Sequence, residues 1–141
     1  MTANSEIPAL MAVVTACEDV ILGTIDGDVP DVRHLTNALN RAATDLNLFF
    51  MTGRDTPKYA QIMESPVCCL YYFNPQNRHV VRLYGQMRVV DDVAVRRAHW
   101  RDEYACFGYA GPDSSDFILL QFVPARYKFY VGAEMHTGDI K

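Results

Sequence analysis

The strongest constraint in this chain is a succession of short apolar segments, each closed by turn residues, with little helix-period sequence between them. Residues 20–26 read as a strand, Asp26-Gly27-Asp28 as a tight turn and residues 31–39 as the returning strand, which predicts a hairpin. After a polar connection, residues 46–52 predict a third strand. Residues 67–73 follow as a continuous apolar strand, then 78–90 as a long one with Gly85 at a bulge or bend. Residues 117–123 and 126–131 complete the set, held apart by Pro124. Three helices interrupt this series. Ser5 is placed to cap the first, with Pro8 in its opening turn and Ile7, Leu10, Met11, Val14 and Cys17 on one stripe. Pro57 opens a second that runs to about Glu64 before Pro66 breaks it, and Asp91 or Asp92 caps a third that reaches about Tyr104. About seven strands joined mostly by hairpins predict one α+β, mainly β domain over residues 1–141, an antiparallel sheet closed into a barrel.

Composition narrows the classes of function. With 50% hydrophobic and 21% charged residues the chain has a core to bury and is not disordered. A net charge of −4 argues against a general nucleic-acid binder. No apolar run approaches the roughly 18 residues of a membrane helix, and the start MTANSEIPALMAVV lacks the basic region of a secretory signal. A cytoplasmic location with reduced thiols is therefore expected for Cys17, Cys68, Cys69 and Cys106. Adjacent Cys68 and Cys69 should point to opposite faces of a strand, both as buried cysteines. No CxxC or histidine spacing suggests a metal, and no GxSxG, GxxxxGK[ST], GxGxxG or HExxH is present, so no catalytic residue can be assigned.

Two segments carry more polarity than a structural strand needs. Arg33, His34, Thr36 and Asn37 put hydrogen-bonding groups on both faces of the second strand, which fits either a half-exposed edge or a ligand-facing strand. Farther on, Phe49-Phe50-Met51-Thr52 ends in a polar turn and enters a helix whose second residue is Lys58. A helix start beside a lysine and hydroxyls suits a phosphate, although a solvated turn has the same spacing. The stretch from Arg78 to Arg101 also holds six of the thirteen basic residues, readable as a solvated face or as a second anion site for a phosphorylated substrate or NAD(P)H.

These segments, taken in order, resemble the pyridoxamine 5′-phosphate oxidase-like FMN-binding split barrels, in particular the general stress protein branch. The matching stretches begin Ile25-Asp26-Gly27-Asp28 and continue through Val32-Arg33-His34-Leu35-Thr36, Leu48 to Thr52 and Pro57-Lys58. Ser65-Pro66-Val67, then Arg82 to Asp91 with its Gly85, and finally Lys128-Phe129-Tyr130-Val131-Gly132 extend the likeness over roughly residues 7–133. The resemblance implies a six-stranded antiparallel split β-barrel with flanking short helices, a homodimer, and FMN in a cleft at the subunit interface. It places Arg33, Lys58 and the Thr52 hydroxyl at the flavin phosphate. It sets His34, Leu35 and Thr36 along the isoalloxazine with Met51 beside it, and brings Tyr130 near the flavin of the neighbouring subunit. The chain also departs from the oxidase. Pro57 replaces one phosphate cation, Ala38 stands where the oxidase has a substrate lysine, and its C-terminal arginine-histidine signature is reduced to His136. A flavin-dependent oxidoreductase with another substrate is thus expected, rather than a true pyridoxamine phosphate oxidase. The alternatives are a non-catalytic flavin-binding stress protein, or a relative that holds haem, with His79 and His136 in view, or a deazaflavin.

Overall fold

The structure, a computed structural model, describes residues 3–140. A 3-10 turn, Ala3–Glu6, leads into helix α1 (Ile7–Ala16), and the hairpin β1 (Asp19–Asp26) and β2 (Val29–Thr36) follows. Next come β3 (Phe49–Gly53), α2 (Pro57–Glu64), β4 (Val67–Phe73), β5 (Val80–Val89), α3 (Val93–Ala98), β6 (Phe117–Val131) and β7 (Glu134–Asp139). Every pairing is antiparallel, and the sheet runs β2-β1-β4-β5-β6-β3, with β7 added to β6. The six-strand path expected from the sequence is present, with a seventh strand beside it.

The β1–β2 turn is two residues long, and Gly27 at φ +65° takes the first central position, where a left-handed residue matches the twist of the hairpin. Alternation then does the sorting: Val20, Leu22 and Thr24 face inward from β1, and Cys68, Leu70 and Tyr72 from β4. Cys68 and Cys69 do take opposite faces, but only Cys68 is buried; Cys69 is half-exposed on the outer side. The α1 stripe of Leu10, Met11, Val14 and Cys17 joins this core as its period predicts. Ser5 does not cap the helix. It lies in the 3-10 turn, and Glu6 takes the cap position without a side-chain cap bond. The Glu6 carboxylate instead accepts from the Tyr127 hydroxyl at 2.7 Å and meets His136 Nδ1 on β7 at 2.7 Å.

Four further expectations are corrected. Pro124 does not divide two strands, because β6 runs through it opposite Gly85, at a register shift where no ladder N–H is required. Gly85 is obligatory at that crossing, since a Cβ there would sit 2.1 Å from the Val123 carbonyl oxygen. The third helix starts on Asp92, whose carboxylate accepts from Val95 N at 3.0 Å, but it stops at Ala98; residues Asp102–Phe107 form a separate 3-10 helix. Residues 134–139, polar and unremarkable as sequence, form β7. Strand β2 ends at Thr36 and β3 starts at Phe49, both shorter than predicted.

Those last ends matter, because β2 and β3 are the two edges of the path and no ladder joins them. Side chains bridge the gap at one end. Asn40 Nδ2 donates to Phe49 O at 2.9 Å and its Oδ1 accepts from Phe49 N at 2.8 Å. Asn37, fully buried, donates to Val14 O and Cys17 O, both at 2.8 Å, and accepts from Asn40 and the Tyr72 hydroxyl. One of the polar residues singled out on the second strand is therefore a structural clamp.

Candidate functional site

Along the open seam beside β2 lie two clefts of different chemistry. The first, about 310 Å³, is lined by Asp31, Val32, Arg33, Pro57 and Lys58. It brings together Arg33 and Lys58, 25 positions apart in the chain. Arg33 lies on the inward face of β2, in register with Leu22, and its guanidinium reaches over the neighbouring strand β1. Nη1 donates to Leu22 O at 3.2 Å and Thr24 Oγ1 at 2.7 Å; Nη2 donates to Gln61 Oε1 at 2.9 Å and Asp31 Oδ2 at 3.0 Å. Gln61 Nε2 also donates to Asp31 at 3.1 Å, and Thr24 donates to Gln61 Oε1 at 2.6 Å. This closed network fixes the guanidinium before any ligand arrives. The Gln61 hydrogen bond, followed by the charge and hydrogen bond of Arg33, holds the Asp31 carboxyl below its usual range, so Asp31 stays ionised.

Lys58 has no hydrogen-bond or ion-pair partner among the described residues. Burial, and then the charge of Arg33, push its pKa below the ordinary lysine value. It is the second residue of α2, whose cap is Thr56. The Thr56 hydroxyl accepts from Tyr59 N at 3.4 Å, the Thr56 carbonyl takes Ala60 N at 3.4 Å, and Pro57 carries no N–H. Lys58 N–H is thus the one free backbone donor of the first turn among the described residues. Two cations and a helix N–H against one carboxylate leave the cleft net positive.

The remaining candidates lie apart. Thr52 is buried, with its hydroxyl 3.1 Å from that of Thr56, and it does not line the cationic cleft. Leu35 packs in the core, while His34 and Thr36 on either side of it are exposed. Thr36 and Met51 meet in the second cleft, about 240 Å³, together with Ala38, Glu103, Tyr104 and Phe107. Tyr130 is half-buried on β6, with the Arg82 guanidinium 5.3 Å from its ring centre, and lines neither cleft.

Sequence reading missed Asp31, Gln61, Thr24 and Thr56. Spacing offered a clue: Asp31 is two residues from Arg33 on one strand face, and Gln61 is one helical turn from Lys58. The basic stretch disperses on the structure. Arg97 pairs with Asp113 at 2.7 Å, Arg96 Nη2 donates to Pro112 O and Ser114 O, and Arg101 Nη2 donates to Ala38 O at 3.4 Å. The bonds of Arg96 and Arg97 pin α3 to the loop before β6. A larger cleft of about 700 Å³ lies where β3 and β7 leave the middle of β6 uncovered. Its lining of Ile7, Pro8, Leu46, Val123, Pro124 and Ile140, with Asp45 but no cation, does not suit an anion.

An antiparallel barrel left open between two edge strands, with a cationic cleft on the seam, defines a split-barrel protein. A family profile described as pyridoxamine 5′-phosphate oxidase like matches residues 6–136, and the chain belongs to that family. No protein of curated function matches it significantly in sequence. Among solved structures, it is similar to a Clostridium acetobutylicum protein related to general stress protein 26 (TM-score 0.80, 19% identity, 99% of this chain and 97% of that one). It is similar to a pyridoxamine 5′-phosphate oxidase-related, FMN-binding protein from Nostoc punctiforme (TM-score 0.68, 17% identity, 97% and 95%). A haem-binding protein from Mycobacterium smegmatis has the same fold (TM-score 0.72, 16% identity, 99% of this chain and 58% of that one). No helix among the described residues is long and apolar enough to cross a membrane.

Proposed function

We propose that this protein is a cytoplasmic, homodimeric, FMN-dependent oxidoreductase of the pyridoxamine 5′-phosphate oxidase-like family, acting on a substrate other than pyridoxamine phosphate. The observation that carries the reading is the convergence of Arg33 and Lys58 at the start of α2. Lys58, through its ammonium and its backbone N–H, would hold the phosphate, while Arg33, immobilised by Thr24, Gln61 and Asp31, contributes a fixed charge. Thr36 and Met51 would border the ring farther along the seam. Bound there, the flavin would supply hydride or electron transfer, and the chain would bind, orient and shield it. Asp31 opposes the phosphate and Pro57 offers it nothing, so the affinity expected is modest.

The dimer reading draws on the outer face of the sheet. In-register rows align Val32, Gly23, Cys69, Tyr84 and Arg126, and beside them His34, Ile21, Tyr71, Arg82 and Lys128. Val32 is 66% and Ile21 42% exposed on this face, beside tyrosines stacked by Arg82, Arg126 and Lys128, a mixed apolar, aromatic and cationic surface for a second copy. Haem has weaker support: His79 lies edge-on to Phe129 at 6.1 Å, His136 is engaged by Glu6, and neither lines the seam. The test is a visible spectrum and a fluorescence titration with FMN and with riboflavin. FMN binding at micromolar levels with riboflavin much weaker is expected; equal binding of the two, or none, would remove the phosphate reading. NAD(P)H oxidation under air-free conditions then separates an oxidoreductase from a flavin-binding protein without turnover.

A further inference from the structure

The cleft of about 700 Å³ shares no lining residue with the two seam clefts. It exists because β6 is longer than the strands beside it. Along one edge β3 pairs with residues 117–121 and β7 with residues 126–131. Phe122 N donates to Leu48 O at 2.7 Å and Ile140 N to Ala125 O at 2.8 Å, so the gap is closed at both ends and Val123 and Pro124 lie between. Phe122 points its N–H to the gap, and two residues on, where the next donor of that edge is due, Pro124 has none. A peptide strand would find little to pair with there. What the gap offers is apolar surface from Ile7, Pro8, Leu46, Val123, Pro124 and Ile140.

The polar part of the lining comes from one short stretch, Thr44, Asp45 and Asn47. Asp45 is the only charged residue of the cleft, and its Oδ1 accepts from Asn47 N at 2.9 Å, which fixes the carboxylate and leaves Oδ2 open. Among the described residues, neither the Thr44 hydroxyl nor the Asn47 amide oxygen is spent on another protein group. Three acceptors on one wall suit the three N–H donors of a primary ammonium, which has no acceptor of its own. An anion would meet Asp45 with no cation to offset it. The volume falls within the roughly 300–1,000 Å³ of small-molecule sites, which likewise combine apolar walls with a few polar groups. We propose that this cleft binds a primary amine on a compact apolar body, with the body against Val123 and Pro124 and the ammonium on Asp45. Neither Arg33 nor Lys58 lines it, so the inference goes beyond the flavin reading and does not rest on it.

The test uses phenylbutylamine, phenylbutanol and phenylbutanoate, which put a positive, no and a negative charge on one phenylalkyl chain at neutral pH. Methyl NMR spectra locate the binding, because Ile7, Leu46, Val123 and Ile140 line this cleft whereas Val32 is the only Ile, Leu or Val on the seam clefts. The amine is expected to shift those four residues and to bind about threefold more tightly than the alcohol, the scale of an ion pair open to water. Phenylbutanoate should bind most weakly. Asp45→Asn keeps the oxygen that Asn47 N–H needs and should bring amine and alcohol level. Val123→Arg, at a position 43% exposed, should reverse the order of amine and carboxylate. Binding of none of the three, equal binding of all to the wild type, or shifts confined to other residues would overturn the proposal. So would an amine preference that survives Asp45→Asn or an order unchanged in Val123→Arg.

Discussion

Replacing Lys58 with methionine separates two effects that one side chain combines. The ammonium is partly desolvated and lies near the Arg33 guanidinium, and both lower its pKa from the ordinary 10.5. In the charged form it opposes folding and favours an anion in the cleft. On the binding side, a hydrogen bond to a charged group is worth about 1.5–3 kcal/mol, or roughly 10- to 150-fold in affinity. Because Lys58 is only half-buried, screening by water puts the expected loss of FMN affinity near the lower end, about tenfold. On the stability side the sign is opposite. A lowered folded pKa means that the unfolded chain binds the proton more tightly, so Lys58 penalises folding at neutral pH. The penalty fades as pH rises through the folded pKa towards 10.5. Lys58→Met should therefore melt at or above the wild type at neutral pH, with the gap narrowing in alkali, while FMN fluorescence titration reports weaker binding. Unchanged FMN affinity would place the phosphate elsewhere, and a variant that melts well below the wild type would show that Lys58 is structural.

Asp31→Asn keeps an acceptor for Arg33 and Gln61 but removes the carboxylate from the cleft; FMN binding should strengthen about fivefold, read by the same titration. Gly85→Ala forces a Cβ to within 2.1 Å of the Val123 carbonyl oxygen, where backbone must yield. A loss of about 2–3 kcal/mol or more is expected by denaturant melt, and wild-type stability would show that the bulge is pliable. Alkylation followed by mass spectrometry should modify exposed Cys106 first and spare Cys68, whose thiol burial pushes up to about 12.

The parts of the fold legible in sequence were those where one period decides burial. The apolar runs at residues 20–26 and 67–73 and the Gly27 turn put β1 and β4 almost where they are, and the α1 stripe placed four of its five residues in the core. What failed was settled by partners remote in the chain. Pro124 looks like a strand break until Gly85 is set opposite it, so that the missing N–H falls at a register shift. β7 has the polar pattern of a solvated strand, and its existence depends on a free edge of β6. The helix expected to reach Tyr104 ends at Ala98, held through Arg96 and Arg97 to the loop at residues 112–114, and a separate 3-10 turn carries Tyr104. At the site, Arg33 and Lys58 were visible as cations on polar segments. Asp31 and Gln61 were not, because their importance lies in closing a network whose geometry only the fold supplies.

The position of that network follows from the way the barrel stops short of closing. A strand inside a closed sheet spends its N–H and C=O groups on two neighbours and its inward side chains on the core, leaving little to face a ligand. β2 has a neighbour on one side only, and Arg33 reaches from its inward row across β1, to Leu22 O and Thr24, where Gln61 of α2 meets it. At the other end, Asn37 and Asn40 tie the same seam shut with side-chain bonds in place of a ladder. Closure is thus carried by asparagines at one end and left to ligand chemistry at the other. The cations there are held by the fold itself: Arg33 is satisfied without a ligand, and only Lys58 is left wanting one. On the proposed reading, affinity for an anion would depend on a single free ammonium working against Asp31.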